Sequence, residues 1–593
     1  MLNSTKNKKE KVKSRFISGK KITTLILCIA FAEAMHAQSP DWLWAKQIGG
    51  TNHDLGYSMA LDASSNIYYT GYFQGTADFD PGAGVYNLTS AGSMDIFISK
   101  LDSAGNFVWA KQLGGSGGDI GESIVTDETG NVYITGLFSG TGDFDPGIGV
   151  FNLTSTGSLD IFVSKLDSSG NFVWAKQMGG AFDDEGWSLA LSTSGNVYVS
   201  GNFNGTADFD PGIGTYNLTS AGQDDIFISK LDGSGNFVWA RAMGAAGVDE
   251  SYSIAVNVSG SVYTFGHFQG TVDFDPGAGV FNLASTGSYD FFISKIDASG
   301  NFVWAKAMGG SDGYVYYSIA LDAFGNVYTT SNFMGTSDFD PGAGTFYLTS
   351  SGAWDIFISK LDSSGNFIWA KIMGGTGYET GSSIAIDREG NGDAYTTGFF
   401  EGTVDFDPGP GVFNLTEAGW GDIFLSKLDS AGNFVWAKAM PGPEVDLGQS
   451  VAINSYGNVY LFGGFGTTIT FSSTMLSNVN TSGGTWDTFI AKLDAETIIT
   501  GENDVAASLS KASIFPNPFS NSTTISFTLE QTENVSLKIF DVNGRLVKTI
   551  ADGKFAQGNH KVEWNAANVE AGIYLLRFET ASYSENRKLI VTK

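Results

Sequence analysis

The sequence predicts an all-β chain built from a repeated unit. Tryptophan recurs inside Trp-Ala-Lys or Trp-Ala-Arg at intervals of 65 residues, with a final interval of 67, at Trp44, Trp109, Trp174, Trp239, Trp304, Trp369 and Trp436. A fixed period of this length is the signature of a repeat architecture. Aromatic residues make up 13% of the chain, glycines punctuate its short apolar runs, and no long window has the apolar period of an α-helix. That combination is typical of β-structure.

Each unit contains four strand patterns joined by turn sequences. In the unit that begins at Glu122 these patterns span 123–127, 132–138, 160–166 and 172–176. Between the second and third patterns lies an excursion, with a Pro-Gly turn between short runs at 140–147 and 150–154, which predicts a small hairpin. Four antiparallel strands joined by tight turns make a propeller blade.

The first strands give the number of blades and the ends of the array predict how it closes. The first strands begin near Ser58, Ser123, Ser188, Ser253, Ser318, Ser383 and Ser450, which predicts seven blades. The last interval is longer because the turn at 390–395 carries two extra residues. The array opens with an orphan fourth strand at 41–46 and ends after a third strand at 487–494. We expect the orphan strand to complete the seventh blade and close the ring, because closure removes an exposed sheet edge. An open solenoid would need a polar capping unit at each end, and the sequence has none.

The repeated motifs resemble a known family. Gly-Asn-Val-Tyr, Asp-Phe-Asp-Pro-Gly, Asp-Ile-Phe-Ile-Ser-Lys-Leu-Asp and Asn-Phe-Val-Trp-Ala-Lys recur across residues 41–497. Units of this kind resemble the SBBP (seven-bladed β-propeller) repeat of secreted bacterial proteins. The resemblance implies the fold of residues 38–497 and leaves the ligand open.

The charge of the chain is concentrated in the repeats. The net charge is −29 overall, but residues 38–511 hold 16 basic and 52 acidic residues, a net of −36. A field of this sign repels phosphate backbones and anionic lipids, which argues against nucleic-acid and membrane-surface partners. It favours cations or basic partners, or it keeps an exported protein soluble.

The first 37 residues predict a signal peptide. A basic region at 6–21 precedes an apolar run at 22–32, which is too short to span a bilayer. We expect cleavage between Ala37 and Gln38, with cleavage after Ala34 as the alternative. No other segment is apolar enough to predict a transmembrane span. The single cysteine, Cys28, lies in the apolar run without the small residues of a lipoprotein signal, so the mature chain would have no disulfide and no thiolate ligand.

Two acidic series are the candidate binding residues. The excursion carries paired carboxylates that fit hard cations such as Ca²⁺, at Asp78, Asp80, Asp143, Asp145, Asp208, Asp210, Asp273, Asp275, Asp338, Asp340, Asp405 and Asp407. The alternative is that these residues cap turns through their own backbone. The second series follows the tryptophan strand, at Asp54, Asp119, Asp184, Asp249, Glu379 and Asp446, with Tyr314 at the fifth position. Because strand alternation places the second-to-third and fourth-to-first connections at the same end of the ring, we expect both series to decorate one face of it. Calcium is the one cofactor that the sequence gives a reason to consider.

Catalytic motifs are scarce. The histidines His36, His53, His267 and His560 show no metal spacing and no nucleophile motif, and His267 is interpreted as a packed or rim residue. Acid pairs for glycoside hydrolysis remain open. The excursions, however, are near copies, whereas an active site needs one or two units to differ. The sequence therefore favours non-catalytic binding or adhesion to a glycan or protein. The alternatives are a polysaccharide hydrolase or lyase and a structural surface-layer component.

After a polar linker at 498–511 the sequence changes character. Residues 512–593 contain about seven short alternating strands, one pair joined by an Asn543-Gly544 turn, which predicts a small Ig-like β-sandwich. This region resembles the type A C-terminal sorting domain of the type IX secretion system of Bacteroidota, through Pro516, Asn517, Pro518, Gly544, Gly572, Tyr574 and Lys593. The resemblance implies transport across the outer membrane, with the secretion machinery and a sortase as partners. It also implies a location outside a Gram-negative cell or on its surface.

Overall fold

A computed structural model describes most of the chain in two compact units, Met1–Thr497 and Ile498–Lys593. In the first unit the described residues are 40–309, 317–388, 391–479 and 484–494. In the second they are 513–515, 517, 519–529, 532–541, 545–570, 572–580 and 584–592. All regular elements among these residues are strands, so the all-β prediction is confirmed. The predicted signal peptide and Tyr314 lie outside the described residues.

Each repeat of the first unit supplies a first, a second, a third and a fourth strand. The first strands are β2 (Asp54–Leu61), β8 (Ile120–Thr126), β14 (Asp184–Leu191), β18 (Glu250–Val256), β24 (Ser318–Leu321), β30 (Glu379–Ile386) and β36 (Leu447–Ile453). The second strands are β3 (Ile67–Phe73), β9 (Val132–Phe138), β15 (Val197–Asp208), β19 (Val262–Phe268), β25 (Val327–Phe333), β31 (Ala394–Phe400) and β37 (Val459–Phe465).

The third strands are β6 (Asp95–Leu101), β12 (Asp160–Leu166), β16 (Asn217–Leu231), β22 (Asp290–Ile296), β28 (Asp355–Leu361), β34 (Asp422–Leu428) and β40 (Asp487–Leu493). The fourth strands are β1 (Trp42–Gly50), β7 (Phe107–Gly115), β13 (Phe172–Gly180), β17 (Phe237–Met243), β23 (Phe302–Met308), β29 (Phe367–Met373) and β35 (Phe434–Met440). The short excursion strands are β4 (Thr76–Asp78), β5 (Asn87–Thr89), β10 (Thr141–Asp143), β11 (Asn152–Thr154), β20 (Thr271–Asp273), β21 (Asn282–Ala284), β26 (Thr336–Asp338), β27 (Tyr347–Thr349), β32 (Thr403–Asp405), β33 (Asn414–Thr416), β38 (Thr468–Phe471) and β39 (Thr474–Ser477). In the third repeat the excursion is continuous with β15 and β16.

The strands of a repeat pair antiparallel in the order first, second, third, fourth. The second strand β9, with the sequence Val-Tyr-Ile-Thr-Gly-Leu-Phe, is buried at every position. A strand that is apolar on both faces must be covered on both faces, and neighbouring repeats provide that cover. The fourth strand β13 mixes buried and exposed positions because it lies at the outer edge of its sheet.

The strand at the start of the array pairs with the last third strand. β1 runs antiparallel to β40, with Ala45 opposite Ala491, and the sheet order is β36, β37, β40, β1. The first and last repeats also touch through the backbone N–H of Asp54, which donates to the Trp486 carbonyl at 2.8 Å. The Lys492 ammonium donates to the Ser103 carbonyl at 3.1 Å. The strand that precedes the first repeat therefore serves as the fourth strand of the last sheet.

The recurring serine of the first strand joins one repeat to the next. The Ser58 hydroxyl accepts a hydrogen bond from the backbone N–H of Ile124, one repeat further on, at 3.2 Å. The same bond recurs at Ser123, Ser188, Ser253, Ser318 and Ser383. Each first strand contacts the first strands of the repeats before and after it, and β2 contacts β36.

The recurring tryptophan of the fourth strand joins each repeat to the turn between the third and fourth strands of the next repeat. The Trp109 indole N–H and the Lys100 ammonium both donate to the Ser168 carbonyl, in a turn of the following repeat. Lys100 also lies 4.7 Å from the centre of the Tyr68 ring, a cation–π contact. Gly170 in the same turn has φ +77°, and a Cβ there would lie 3.1 Å from the Trp109 ring. A glycine is needed at this position for both reasons.

The second unit consists of two sheets around one core. Its strands are β41 (Ser513–Phe515), β42 (Ser522–Leu529), β43 (Glu533–Asp541), β44 (Leu546–Phe555), β45 (Gly558–Asn565), β46 (Gly572–Glu579) and β47 (Ser584–Val591). The sheet β41-β42-β45 and the sheet β44-β43-β46-β47 share buried residues that include Phe527, Leu537 and Phe578. Of the predicted motif, Asn517 accepts a hydrogen bond from the Ile590 N–H at 2.8 Å, and the Tyr574 hydroxyl donates to the Glu570 carbonyl at 2.9 Å. Pro516, Pro518, Gly544 and Lys593 lie outside the described residues.

We expect deletion of residues 41–47 to lower the melting temperature of the full chain sharply. The deletion removes most of β1 and exposes the edge of β40 together with the apolar core that β1 covers. Removing the exposed excursion tip at 82–85 is the matched control and should have a much smaller effect. Differential scanning calorimetry measures both variants. Equal losses in the two variants would contradict the role given to β1.

Candidate functional site

The excursion carboxylates act as turn caps. The Asp78 Oδ1 atom accepts hydrogen bonds from the backbone N–H groups of Asp80 and Tyr86, at 3.0 and 2.8 Å, and Asp80 Oδ1 accepts one from the Gly82 N–H at 2.8 Å. The same bonds recur at Asp143 and Asp145, Asp208 and Asp210, Asp273 and Asp275, Asp338 and Asp340, and Asp405 and Asp407. Among the described residues, no group of three His, Cys, Asp or Glu side chains is placed to hold a metal ion.

Calcium binding by the excursions stays a prediction. If Ca²⁺ is bound, the melting temperature should be higher in excess Ca²⁺ than in a chelator, because a ligand specific for the folded state stabilises it. Replacing both Asp143 and Asp145 by Asn should reduce that difference. Identical melting temperatures in Ca²⁺ and in chelator would exclude the site.

The second acidic series is turned inward. Asp54 is 2% exposed and accepts hydrogen bonds from the backbone N–H groups of Gly50, at 2.6 Å, and Gln74, at 3.2 Å. These bonds tie the fourth-to-first loop to the end of the second strand. Asp119, Asp184, Asp249, Glu379 and Asp446 occupy the same place. The sequence predicts that this series decorates one face of the ring, and that prediction is wrong, because these side chains are buried beneath the loops whose N–H groups they bind.

A third series was missed by sequence reasoning. Asp95 and its counterparts start the third strands and are buried, at Asp160, Asp225, Asp290, Asp355, Asp422 and Asp487. Asp95 Oδ2 accepts hydrogen bonds from the Ala91 N–H at 3.0 Å and the Gln112 side chain at 2.5 Å. The signal was an Asp before Ile-Phe in five repeats, before Phe-Phe at Asp290 and before Thr-Phe at Asp487. This pattern is equally typical of the start of a strand.

Burial makes the carboxyl groups of the second acidic series weaker acids than free aspartate. It raises the pKa of Asp119 to about 6, of Asp54 to about 7 and of Asp446 to about 8, against partial compensation from their N–H donors. The turn carboxylates behave oppositely, since hydrogen bonds from neighbouring N–H groups lower the pKa of Asp102 and Asp167 despite some burial.

We expect the free energy of unfolding of the full chain to be greatest at about pH 5. The buried carboxyls have raised pKa values, so their contribution to stability is complete below the unfolded value of 3.8 and is lost as the pH rises through about 6 to about 8. The turn carboxylates have lowered pKa values, and their contribution is lost only in acid. The melting temperature should therefore fall between pH 5 and pH 8. The substitution Asp446→Asn should flatten this fall, and the exposed Glu128→Gln should not. A melting temperature that rises from pH 5 to pH 8 would refute the assignment.

The repeats differ from one another mainly around their first strands. A one-residue bulge in these strands lies between Gly56 and Ser58 and recurs in β8, β14, β18, β30 and β36. It places unlike residues at equivalent positions, at Tyr57, Glu122, Trp187, Tyr252, Ser382 and Gln449. Eight side chains of successive repeats lie close to one another, and we call them the inner-strand cluster. They are Glu122, Glu185, Trp187, Asn202, Glu250, Tyr252, His267 and Tyr317.

Hydrogen bonds and stacked rings link the members of the inner-strand cluster. The Trp187 indole N–H donates to Asn202 Oδ1 at 2.5 Å, and the Asn202 amide donates to Glu185 Oε2 at 3.2 Å. The Tyr252 hydroxyl donates to Glu250. The rings of Tyr252 and Tyr317 are stacked, 4.8 Å apart with an interplanar angle of 8°. The Trp187 ring lies 5.5 Å from that of Tyr252, so aromatic faces from three successive repeats are contiguous.

His267 belongs to this cluster. It is 3% exposed, and its Nδ1 atom lies 3.0 Å from the Tyr317 hydroxyl. Its Nε2 atom lies 3.4 Å from Glu250 Oε2, yet the geometry makes no hydrogen bond. Burial lowers the pKa of His267 to about 4, so the imidazole is neutral at pH 7. The sequence interpretation of a packed histidine is right about burial and misses its polar neighbours.

The cluster carboxyls hold raised pKa values. Glu122 keeps part of its surface accessible, but the surrounding protein and the charge of Glu185 raise its pKa to about 8. Burial raises the pKa of Glu250 to about 7, opposed by the Tyr252 hydrogen bond and increased by the charges of Asp224 and Glu185. The pKa of Glu185 is also raised, mainly by burial. Glu122 and Glu250 therefore change protonation state near neutral pH, so a charged ligand bound beside them would shift their pKa values.

Parts of the two units match two known families. Residues 43–75 and 108–145 match the SBBP β-propeller repeat, and residues 513–592 match the secretion system C-terminal sorting domain. The protein is therefore an all-β repeat protein with an export module. It contains SBBP β-propeller repeats and a type IX sorting domain, as the sequence predicts. The sorting domain implies export to an extracellular or cell-surface location and interaction with the secretion machinery.

Two curated relatives match the chain at low identity. It is 23% identical over 505 residues to an uncharacterized WD repeat-containing protein, L264, of Acanthamoeba polyphaga mimivirus, covering 71% of this chain and 36% of that protein. It is 25% identical over 413 residues to the regulatory protein FlaEY of Caulobacter vibrioides, covering 58% of this chain and 43% of that protein. The chain spans less than half the length of these relatives.

Solved structures give only distant likenesses. Dimeric latent PorU from Porphyromonas gingivalis matches with 13% identity and a TM-score of 0.13, covering 63% of this chain and 32% of that chain. A glycoside hydrolase family 43 arabinoxylan arabinofuranohydrolase from Bacillus subtilis matches with 9% identity and a TM-score of 0.23, covering 91% and 96%. Neither likeness bears on function. Among the described residues, no helix has the length and apolar character of a membrane span.

Proposed function

We propose that this protein is an exported binding protein whose repeats form a closed seven-bladed β-propeller. The support for closure is the pairing of β1 with β40 and the contact of β2 with β36. In addition, Tyr460, Phe462 and Ile490 of the last repeat share an apolar core with Met59 and Tyr69 of the first. These contacts repeat, between the two ends of the array, the packing of any two neighbouring repeats.

The binding function is carried by the inner-strand cluster. The excursions are near copies whose carboxylates accept hydrogen bonds from their own turns, whereas the cluster combines aromatic, amide, imidazole and carboxyl groups that no other repeat reproduces. The partly exposed rings of Trp187 and Tyr252 offer an apolar aromatic surface, and the adjacent polar groups would fix the orientation of a ligand. The ligand is a glycan or a protein outside the cell, bound without chemical conversion.

A polysaccharide hydrolase or lyase is the second candidate. One observation favours it: Glu250 and Glu122 have pKa values of about 7 and about 8, in the range of a general acid at neutral pH. Turnover would require a second carboxylate that stays ionised beside the substrate. A purely structural surface-layer role would require neither.

A binding array distinguishes these functions. The purified mature protein is applied to immobilised glycans and peptides, and bound polysaccharides are then assayed for released products. We expect binding without product release, and we expect Trp187→Ala to abolish it. The matched control is Trp420→Ala, which removes an indole that is 73% exposed outside the cluster. Product release would establish the hydrolase instead, and the absence of binding to every probe would favour the structural role.

We propose that residues 512–593 form an Ig-like sandwich that directs export, after a signal peptide cleaved between Ala37 and Gln38 has delivered the chain to the periplasm. The type IX machinery and its sortase are the partners of this unit. The two sheets with a common core, and the match to sorting domains, support this role.

Deletion of residues 512–593 should leave the repeat unit in the periplasm. Protease treatment of intact cells, followed by immunoblotting, measures surface exposure. As a control, fusing 512–593 to an unrelated periplasmic protein should bring that protein to the surface. Surface exposure of the truncated chain would disprove the role of this unit.

A further inference from the structure

The carboxylates of the inner-strand cluster repel one another. The charges that act on Glu122 come from Glu185, and those that act on Glu250 come from Asp224, Glu185 and Asp249. Within the residues that the structure describes, no Lys or Arg forms an ion pair with Glu122, Glu185 or Glu250. Burial and the mutual repulsion of these carboxyl groups disfavour their ionisation, and a bound cation would favour the charged forms.

Unpartnered buried polar atoms lie in and beside the same cluster. His267 is 3% exposed, and its Nε2 atom has no hydrogen bond although it faces Glu250 Oε2 at 3.4 Å. Asn332 holds the position equivalent to His267 in the next repeat, is fully buried, and has no partner for either amide atom. The buried Ser251 hydroxyl, next to Glu250, is also without a partner. Buried polar atoms are nearly always satisfied, so the Nε2 atom of His267, which faces the carboxyl group of Glu250, is the point at which a polar ligand would complete the set.

The aromatic rings of the cluster limit the chemistry of that ligand. Trp187 and Tyr252, both partly exposed, pack with Tyr317 in a row of rings beside the carboxylates. An aromatic face attracts a cation through its quadrupole, and the attraction increases as water is excluded. A neutral sugar would use the rings but would leave the carboxylate charge unbalanced. An anion would be repelled.

Resting on the proposed function, we infer that the inner-strand cluster binds a cationic nitrogen group, an ammonium or guanidinium, between the carboxylates of Glu185 and Glu250 and the rings of Trp187 and Tyr252. The tautomer of His267 that donates Nδ1–H to the Tyr317 hydroxyl leaves Nε2 to accept an N–H of the ligand. The net charge of −36 over residues 38–511 attracts such a ligand from a distance. A basic side chain of a peptide and a small free amine share this chemistry.

Titration calorimetry on the full mature chain tests the inference. The probes are a Gly-Arg-Gly peptide blocked at both ends, the same peptide with neutral citrulline in place of Arg, and propane-1,3-diamine. We expect the Arg peptide to bind at least about tenfold more tightly than the citrulline peptide, the effect of one charged contact. The diamine arm distinguishes the sources: equal binding indicates a site for free amines, and weaker binding indicates one for peptide side chains.

Variants assign the effect to the cluster. Glu185→Gln and Glu250→Gln should each weaken binding of the Arg peptide about tenfold, while Glu128→Gln, which removes an exposed carboxylate in a turn at the other end of its strand, should not. Melting curves establish that each variant is folded, and either glutamate variant alone is sufficient for the comparison. Affinity should also rise from pH 5 to pH 8, as Glu250 loses its proton amid Asp224, Glu185, Asp249, Tyr252 and the neutral His267.

Equal affinity for the Arg and citrulline peptides, or no binding of either cationic probe, would overturn the inference. Suppose that the glycan and peptide array then identifies a neutral ligand whose binding is abolished by Trp187→Ala. In that case the proposed binding function stands and only its ligand class is wrong. If the array finds no ligand at all, the proposed function fails as well.

Discussion

The structure depends on apolar strands that no single repeat can cover. The second and third strands are buried on both faces, and the cover for each face comes from an adjacent repeat. Phe203 and Val199, for example, share a core with Tyr133 and Ile161 of the repeat before. Burial of this area is the dominant favourable term in folding, so a terminal repeat without a neighbour would be left with exposed core. The contact between first and last repeats and the use of β1 as the final fourth strand are two consequences of this one requirement.

Hydrogen bonds between repeats then fix the spacing that the apolar contacts allow. The bond from a backbone N–H to the serine of the preceding first strand, as at Ser58, holds the first strands together. The bond from the indole N–H, as at Trp109, holds each fourth strand to a turn of the next repeat. Buried carboxylates such as Asp54 complete the scheme by tying loops within a repeat. Most residues that recur in every repeat are thereby explained by structural contacts. The residues that differ between repeats are therefore the better candidates for function.

Those departures converge because equivalent positions of successive repeats lie side by side. Glu185 and Glu250 are equivalent residues of neighbouring repeats, as are Trp187 and Tyr252. A stack of identical units would offer the same weak surface many times. Unlike residues at these positions instead bring together one asymmetric group of side chains, in which the pKa values of Glu122 and Glu250 lie near neutrality.

The sequence by itself determined the period, the four strands of each repeat and the export module. β9 and β12 span the residues predicted for them, because local alternation and turn glycines define strands without reference to the rest of the chain. Only the tertiary structure decided which polar residues are structural. From the sequence, Asp54 is predicted to lie at the surface, and His267 is interpreted as a packed or rim residue without identified polar partners. Their partners lie about 20 to 50 residues away and are brought to them by sheet pairing and repeat packing. A short-range pattern cannot encode such contacts. For the same reason the inner-strand cluster is not visible in any one repeat, and exists only where four successive repeats meet.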